Sequence, residues 1–203
     1  MSGEPFECGY GAIVREDVEV LEACMRELLK PYSTPIKVLE IGMHDGGTAK
    51  GMQAWCDAHD RRLYYVGIDP DDGTTRPRFV PTEGVVIVGD SAEAFTKLNP
   101  HLLFDLVWVD GCHCMNHVIL DTIHYAPCVR PGGFMLFHDV NPRGQGAHHQ
   151  YHGPETPEFG LAIDKAHGAI GWPFAEWSMF MEKWPEDRTD CGTRAYRKTG
   201  IEL

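Results

Sequence analysis

Short apolar, β-rich runs alternate with helix-spaced segments along most of the chain. Ile36–Ile41 (IKVLEI), Leu63–Ile68 (LYYVGI), Val85–Val88, Leu103–Val109 and Phe134–Phe137 read as strands. The segment after Gly42 reads as a turn opening into a helix that runs to about His59. Ser91 reads as the N-cap of a helix through Leu98, and another helix fills the space before the Pro-Gly-Gly turn at Pro131. Upstream, Ile13–Lys30 carries Val14, Val18, Leu21, Met25, Leu28 and Leu29 close to helical spacing. Pro31 and Pro35 end that run, which predicts an amphipathic helix over one edge of the domain. Downstream, Asn141–Gly160 is rich in Gly, His and Pro. A loop of that length reads as functional, and a lid over a site is the natural expectation. Phe159–Ile170 looks helical, and Ala175–Glu182 with Thr193–Lys198 reads as a closing antiparallel pair.

Strands alternating with helices predict βαβ units. The expected architecture is a single α/β domain, Rossmann-like and doubly wound, with a mostly parallel sheet and an antiparallel C-terminal strand pair.

Composition narrows the partners. The formal charge of −12 argues against a broad grip on nucleic acid or anionic membrane. No apolar run approaches the ~20 residues needed to span a bilayer. The start, MSGEPFECGYG, lacks a basic segment followed by an apolar one, so no signal peptide is expected. Seven cysteines is an odd number, scattered without scaffold spacing, and points to reduced thiols in a cytoplasmic protein.

The candidate chemistry sits at strand ends. Asp110 and His113 follow the fourth strand, and His138 and Asp139 follow the fifth. In open α/β folds the carboxyl end of the sheet is where ligands bind. The turn VLEIGMHDGGTA places Gly42, Gly46 and Gly47 between a strand and a helix, where backbone can approach a ligand. It is not GxGxxG, so a dinucleotide is a poor match and a nicotinamide-dependent oxidoreductase is disfavoured. A ligand carboxylate near Thr48 fits better, and a plain tight turn is the alternative. Asp69 ends the second strand, where an acid would hold ribose hydroxyls; the Pro- and Gly-rich loop that follows, DDGTTRPRFVPTEG, is expected to leave Arg76 and Arg78 exposed. Cys112 and Cys114 flank His113, with His117 nearby. Without a second ligand pair at finger-like spacing, they read as packing cysteines at a helix start. His148, His149 and His152 read as solvated loop residues, and Trp172, Trp177 and Trp184 as packing.

LEIGMHDGGTA, GIDPDD, GDSAEAF, FDLVWVDGCH and RPGGFMLFHD, in that order, resemble class I S-adenosylmethionine-dependent methyltransferases. The likeness is greatest to metal-assisted small-molecule O-methyltransferases of the catechol type and to cephalosporin hydroxylase-like antibiotic-tailoring relatives. The resemblance implies S-adenosyl-L-methionine as cofactor and a hydroxylated small molecule as acceptor. Glu40 and Gly42 would line the methionine moiety, with Thr48 near its carboxylate. Asp69 would hold the ribose, Ser91 would lie by the adenine, and Asp110 would sit close to both the cofactor amine and a divalent metal. His113 takes the place of the catechol-type lysine base; near its ordinary pKa of ~6.5 a histidine suits that role. His138-Asp139 stands where relatives carry paired carboxyl or carboxamide ligands. Imidazole favours ions softer than Mg²⁺, so the metal expectation covers Mg²⁺, Mn²⁺ or a softer transition metal. Two other readings stay open: a cephalosporin hydroxylase-like metal-dependent oxidoreductase, and a cofactor-binding partner subunit without catalysis. The first helix could also serve a homodimer.

Overall fold

The computed structural model describes residues 13–29, 35–74, 78–112, 114–140, 159–172, 176–186 and 192–200. Its elements are α1 (Arg15–Glu27), β1 (Ile36–Ile41), α2 (Gly47–Ala58), β2 (Leu63–Asp69), β3 (Glu83–Val88), α3 (Ser91–Lys97), β4 (Phe104–Val109), α4 (Met115–Tyr125), β5 (Val129–His138), α5 (Phe159–Ile170), β6 (Trp177–Lys183) and β7 (Thr193–Lys198). The strands form one seven-stranded sheet in the order β3-β2-β1-β4-β5-β7-β6. The pairings from β3 to β5 are parallel, and β7 runs antiparallel to both β5 and β6. This is the expected Rossmann-like α/β arrangement with an antiparallel finish.

The period-2 pleat explains why the inner strands are apolar throughout. Val38, Leu106, Trp108, Phe134 and Leu136 face one side, where they meet Val20, Leu21, Cys24 and Met25 of α1 and Met52 and Trp55 of α2. Leu39, Ile41, Val107, Val109, Met135 and Phe137 face the other, against Ala94, Val118, Tyr125 and Ala166. Both faces are therefore covered. The apolar stripe of α1 lies on this chain's own sheet. Among the described residues no helix is long and apolar enough to cross a membrane.

Two expectations need correction. The N-cap of α3 is Asp90, whose side chain accepts the Glu93 N–H, and Ser91 is the first helical residue. β5 also begins at Val129 and runs through Pro131-Gly132-Gly133 rather than starting after a turn. A register shift between Phe104 and Leu106 absorbs the irregularity, as bulges do for strand Pro and Gly.

Candidate functional site

The pleat brings the polar strand tips together. Val109 of β4 is level with Phe137 of β5, so the residues that follow, Asp110 and His138, lie side by side. Leu106 and Trp108 face α1 and α2, as do Phe134 and Leu136. The next alternate residues, Asp110 and His138, extend those rows to the same face. Asp139 would point away if the strand continued. Its backbone instead takes φ 55°, a left-handed conformation that aspartate tolerates better than most residues. That kink brings its carboxylate to 3.4 Å from His138 Nδ1. Asp110 Oδ1 lies 2.9 Å from the same nitrogen. One ligand atom from each of Asp110, His138 and Asp139 falls within 4.8 Å of the others.

The other ring nitrogen of His138 is already engaged. Nε2 lies 3.0 Å from Asp17 Oδ2, and Asp17 is a fully buried acid of α1. Oδ2 also accepts the Val14 N–H, and Oδ1 accepts the Gly192 N–H and the Thr193 hydroxyl. Asp17 thus ties α1, the tip of β5 and the start of β7 to one histidine. Burial works to keep His138 neutral, but the Asp110 and Asp139 carboxylates and the bonds to Asp110 and Asp17 outweigh it. Together they raise the imidazole's pKa well above the ordinary histidine range. Asp17 escaped the sequence reading, although it stands three and four positions before Val20 and Leu21. An acid on the buried stripe of an amphipathic helix is the signal that marks it.

Glu40 at the end of β1 is 1% exposed. Burial, opposed by the Tyr65 hydrogen bond and reinforced by Asp110, pushes its carboxyl up to about 8. Tyr65 donates to Glu40, and Thr48 also hydrogen-bonds it. Asp69 closes β2 and accepts the His44 N–H at 2.7 Å and the Asp71 N–H at 2.9 Å. Arg78, expected to be exposed, has a side chain only 7% exposed, 3.6 Å from Asp69. It donates to the Asp71 carbonyl, while its Nε and Nη1 are buried without a hydrogen-bond partner among the described residues.

The glycines of the first turn serve the fold itself. A Cβ on Gly42 would lie 2.2 Å from the Asp110 carbonyl oxygen, and one on Gly46 would lie 2.2 Å from that of Phe79. Gly42 therefore permits the β1 and β4 tips to approach, and that approach sets Glu40 near Asp110.

A second cluster follows Asp110. Cys112, Cys114 and His117 each bring a ligand atom within 4.8 Å of the others. Burial pushes the Cys112 thiol up to about 12, and its side chain hydrogen-bonds Cys114. Unlike Cys24 and Cys56, which are buried in the core, these two cysteines are half-buried and belong to neither apolar cluster. Cys114 stands at the start of α4, where the sequence places it.

His113, Arg76 and residues 141–158, with His148, His149 and His152, lie outside the described residues. Trp172 and Trp177 are buried in the core. His167 packs there against Phe137, Trp172 and Tyr196, and burial drives its imidazole down to about 3. A cleft of about 500 Å³ opens at the opposite end of the sheet among Lys37, Arg61, Asp105 and Arg130, and none of the site residues line it.

A family model described as a methyltransferase domain matches residues 39–140, from within β1 to just past the β5 tip. The chain belongs to that family, the class I S-adenosylmethionine-dependent methyltransferases. The same fold occurs in a Staphylococcus aureus protein provisionally assigned as a caffeoyl-CoA O-methyltransferase, with TM-score 0.67, 12% identity and coverage of 93% of this chain and 85% of that one. An O-methyltransferase from Bacillus cereus in complex with S-adenosylhomocysteine gives TM-score 0.59 and 14% identity, over 91% and 84% of the two chains. The MycE methyltransferase of mycinamycin biosynthesis, in complex with Mg, S-adenosylhomocysteine and mycinamycin VI, gives TM-score 0.52 and 21% identity, over 81% and 45%. No curated protein sequence matches the methyltransferase chain significantly. At these identities the structural neighbours show the fold, and the matched segment carries the tips of β1, β2, β4 and β5, while Asp17 of α1 and the start of β7 lie outside it.

Proposed function

We propose that this methyltransferase transfers the sulfonium methyl group of S-adenosylmethionine to a hydroxyl oxygen of a small molecule, assisted by a divalent cation held by Asp110, His138 and Asp139. The observation that carries the reading is the surplus of acid at the strand tips. Asp17, Asp110 and Asp139 surround one imidazole, and burial, opposed by the Tyr65 hydrogen bond and reinforced by Asp110, pushes the nearby Glu40 carboxyl up to about 8. Such a site favours a positively charged guest. The sulfonium and amine of the cofactor meet that demand, as does a metal ion.

The donor chemistry suits an ion. Asp17 engages Nε2 of His138 and leaves Nδ1 as the ligand atom, the arrangement by which an outer carboxylate orients a metal-binding histidine. Nδ1 stands between the Asp110 and Asp139 carboxylates, where a cation would go. Two carboxylate oxygens and one imidazole accommodate Mn²⁺ or a softer ion better than Mg²⁺. The Mg-bound MycE neighbour supports ion-assisted chemistry on this fold.

Bound S-adenosylmethionine supplies an electrophilic methyl group, and a divalent ion lowers the pKa of an acceptor hydroxyl it contacts. The protein's part is alignment and proton removal. Glu40 and Gly42 line the methionine moiety, Asp69 holds the ribose and Ser91 lies by the adenine. Thr48, joined by the buried Arg78 and the start of α2, receives the cofactor carboxylate. Asp110 serves both cofactor amine and ion. His113, three residues after Asp110, takes the acceptor proton.

Calorimetry with S-adenosylhomocysteine, with and without Mn²⁺, tests the cofactor and ion together. Turnover on hydroxylated acceptors, read as S-adenosylhomocysteine release, tests the oxygen specificity. Binding that tightens with Mn²⁺ is expected; no binding in either condition would overturn the reading.

A further inference from the structure

We propose that Cys112, Cys114 and His117 form a second metal site, for a thiophilic divalent cation such as Zn²⁺, separate in chemistry from the Asp110, His138 and Asp139 set. The first ground is convergence: the two sulfurs and one imidazole nitrogen lie within 4.8 Å of one another. Tetrahedral zinc, with bonds of about 2.0–2.3 Å, sets its ligand atoms about 3.5–3.8 Å apart. Small side-chain movements therefore close the site around an ion.

The second ground is position. Cys114 is the N-cap of α4, with extended backbone (φ −65°, ψ 140°) and no side-chain cap hydrogen bond. Ser, Thr, Asp or Asn there would stabilise the helix by about 1 kcal/mol, and the chain forgoes that. His117 stands three residues on, so it lies one turn along the same face of the helix. The first turn of α4 contains no acidic residue, and the helix start favours the negative charge of thiolate ligands.

The third ground is the contrast with the other cysteines. Cys24 and Cys56 are buried in the core, and Cys128 packs against it. Cys112 and Cys114 are half-buried and belong to neither apolar cluster, so packing does not account for two thiols and an imidazole meeting there. Thiolates select soft ions, whereas the carboxylate-rich set that includes Asp110, two residues before Cys112, selects harder ones. Two ions can thus be sorted between neighbouring sites by ligand type.

Three protein ligands leave a fourth tetrahedral position open to water or another ligand. The two cysteines flank residue 113 in the chain, so an ion held by both would fix the segment on either side of the residue assigned as base. That consequence rests on the proposed methyl transfer; metal binding at the cysteines does not.

Cobalt substitution tests the site without any turnover. One equivalent of Co²⁺ added to the fully reduced, full-length chain should give near-ultraviolet thiolate-to-cobalt charge transfer and the intense visible bands of tetrahedral cobalt. Stoichiometric Zn²⁺ should abolish both. The Cys112→Ser/Cys114→Ser variant, checked for folding by circular dichroism, should lose the charge-transfer band. His117→Ala should weaken Co²⁺ binding at least about tenfold, and Asp139→Asn should leave the spectrum intact. Absence of the band in the unaltered protein, or its persistence in the double serine variant, would overturn the proposal. Failure of S-adenosylhomocysteine to bind would leave this spectrum unchanged, so the two readings fail separately.

Discussion

Asp105 near the start of β4 and Asp110 just past its end are treated in opposite ways by the same chain. Asp105 accepts the Lys37 N–H at 2.7 Å and the Arg130 guanidinium, so the fold itself supplies the neutralising charge. Asp110 faces His138, which also faces Asp139 and Asp17, and Asp110 raises the pKa of buried Glu40. Here acids outnumber the positive charge placed among them. The comparison separates two uses of a carboxylate. One closes a structure by pairing within the chain, and the other holds a demand for a cation that ligands meet.

The largest effect should come from breaking the second use. Asp110→Asn is expected to lower turnover per folded molecule on the order of 10²-fold or more, with an unfolding curve alongside because the substitution also removes the charged contact to His138. Asp17→Asn should come next. It keeps a neutral hydrogen-bonding group in the buried pocket but weakens the hold on His138. Metal affinity should fall about 10–100-fold, read by metal titration alongside an unfolding curve. Asp105→Asn should do the reverse of Asp110→Asn. It should cost about 1–2 kcal/mol of stability in denaturant unfolding, through loss of the partly exposed Arg130 pair, and leave turnover per folded molecule unchanged.

A separate effect is a pH dependence. Glu40 is raised in the folded state to about 8 from its ordinary value of 4.5. The native state therefore holds a proton that the unfolded chain releases. Its contribution is fully present below the unfolded value and is lost as pH rises through the folded one. Stability of the ligand-free protein should decline across that window. Glu40→Gln, which keeps an acceptor for Tyr65, should flatten the decline in denaturant midpoints measured at several pH values.

Much of this was legible in the chain because inner parallel strands write themselves as unbroken apolar runs. β1 (Ile36–Ile41) falls where IKVLEI predicts it, and β2 extends its run by one residue, to Asp69. The strand-end acids follow from the same pattern. β5 was harder, because Pro131-Gly132-Gly133 reads as a turn when only local preference is considered, and the register shift that admits it into the sheet is a tertiary event. Arg78 looked solvent-bound in a Pro- and Gly-rich loop, and only the fold shows that it closes over Asp69. Asp17 lies 121 residues from His138, so no local pattern could connect them. The glycines at 42 and 46 carried a signal whose cause is the chain's own close approach to Asp110 and Phe79.

The contrast between the two aspartates comes down to where a cation binds. Mn²⁺ titration followed by electron paramagnetic resonance, with S-adenosylhomocysteine present, tests it on the unaltered protein, Asp105→Asn and Asp110→Asn. A single site of equal affinity is expected in the first two and binding at least about tenfold weaker in the third. Equal Mn²⁺ affinity in Asp110→Asn, with the protein folded, would show that Asp110 holds no cation.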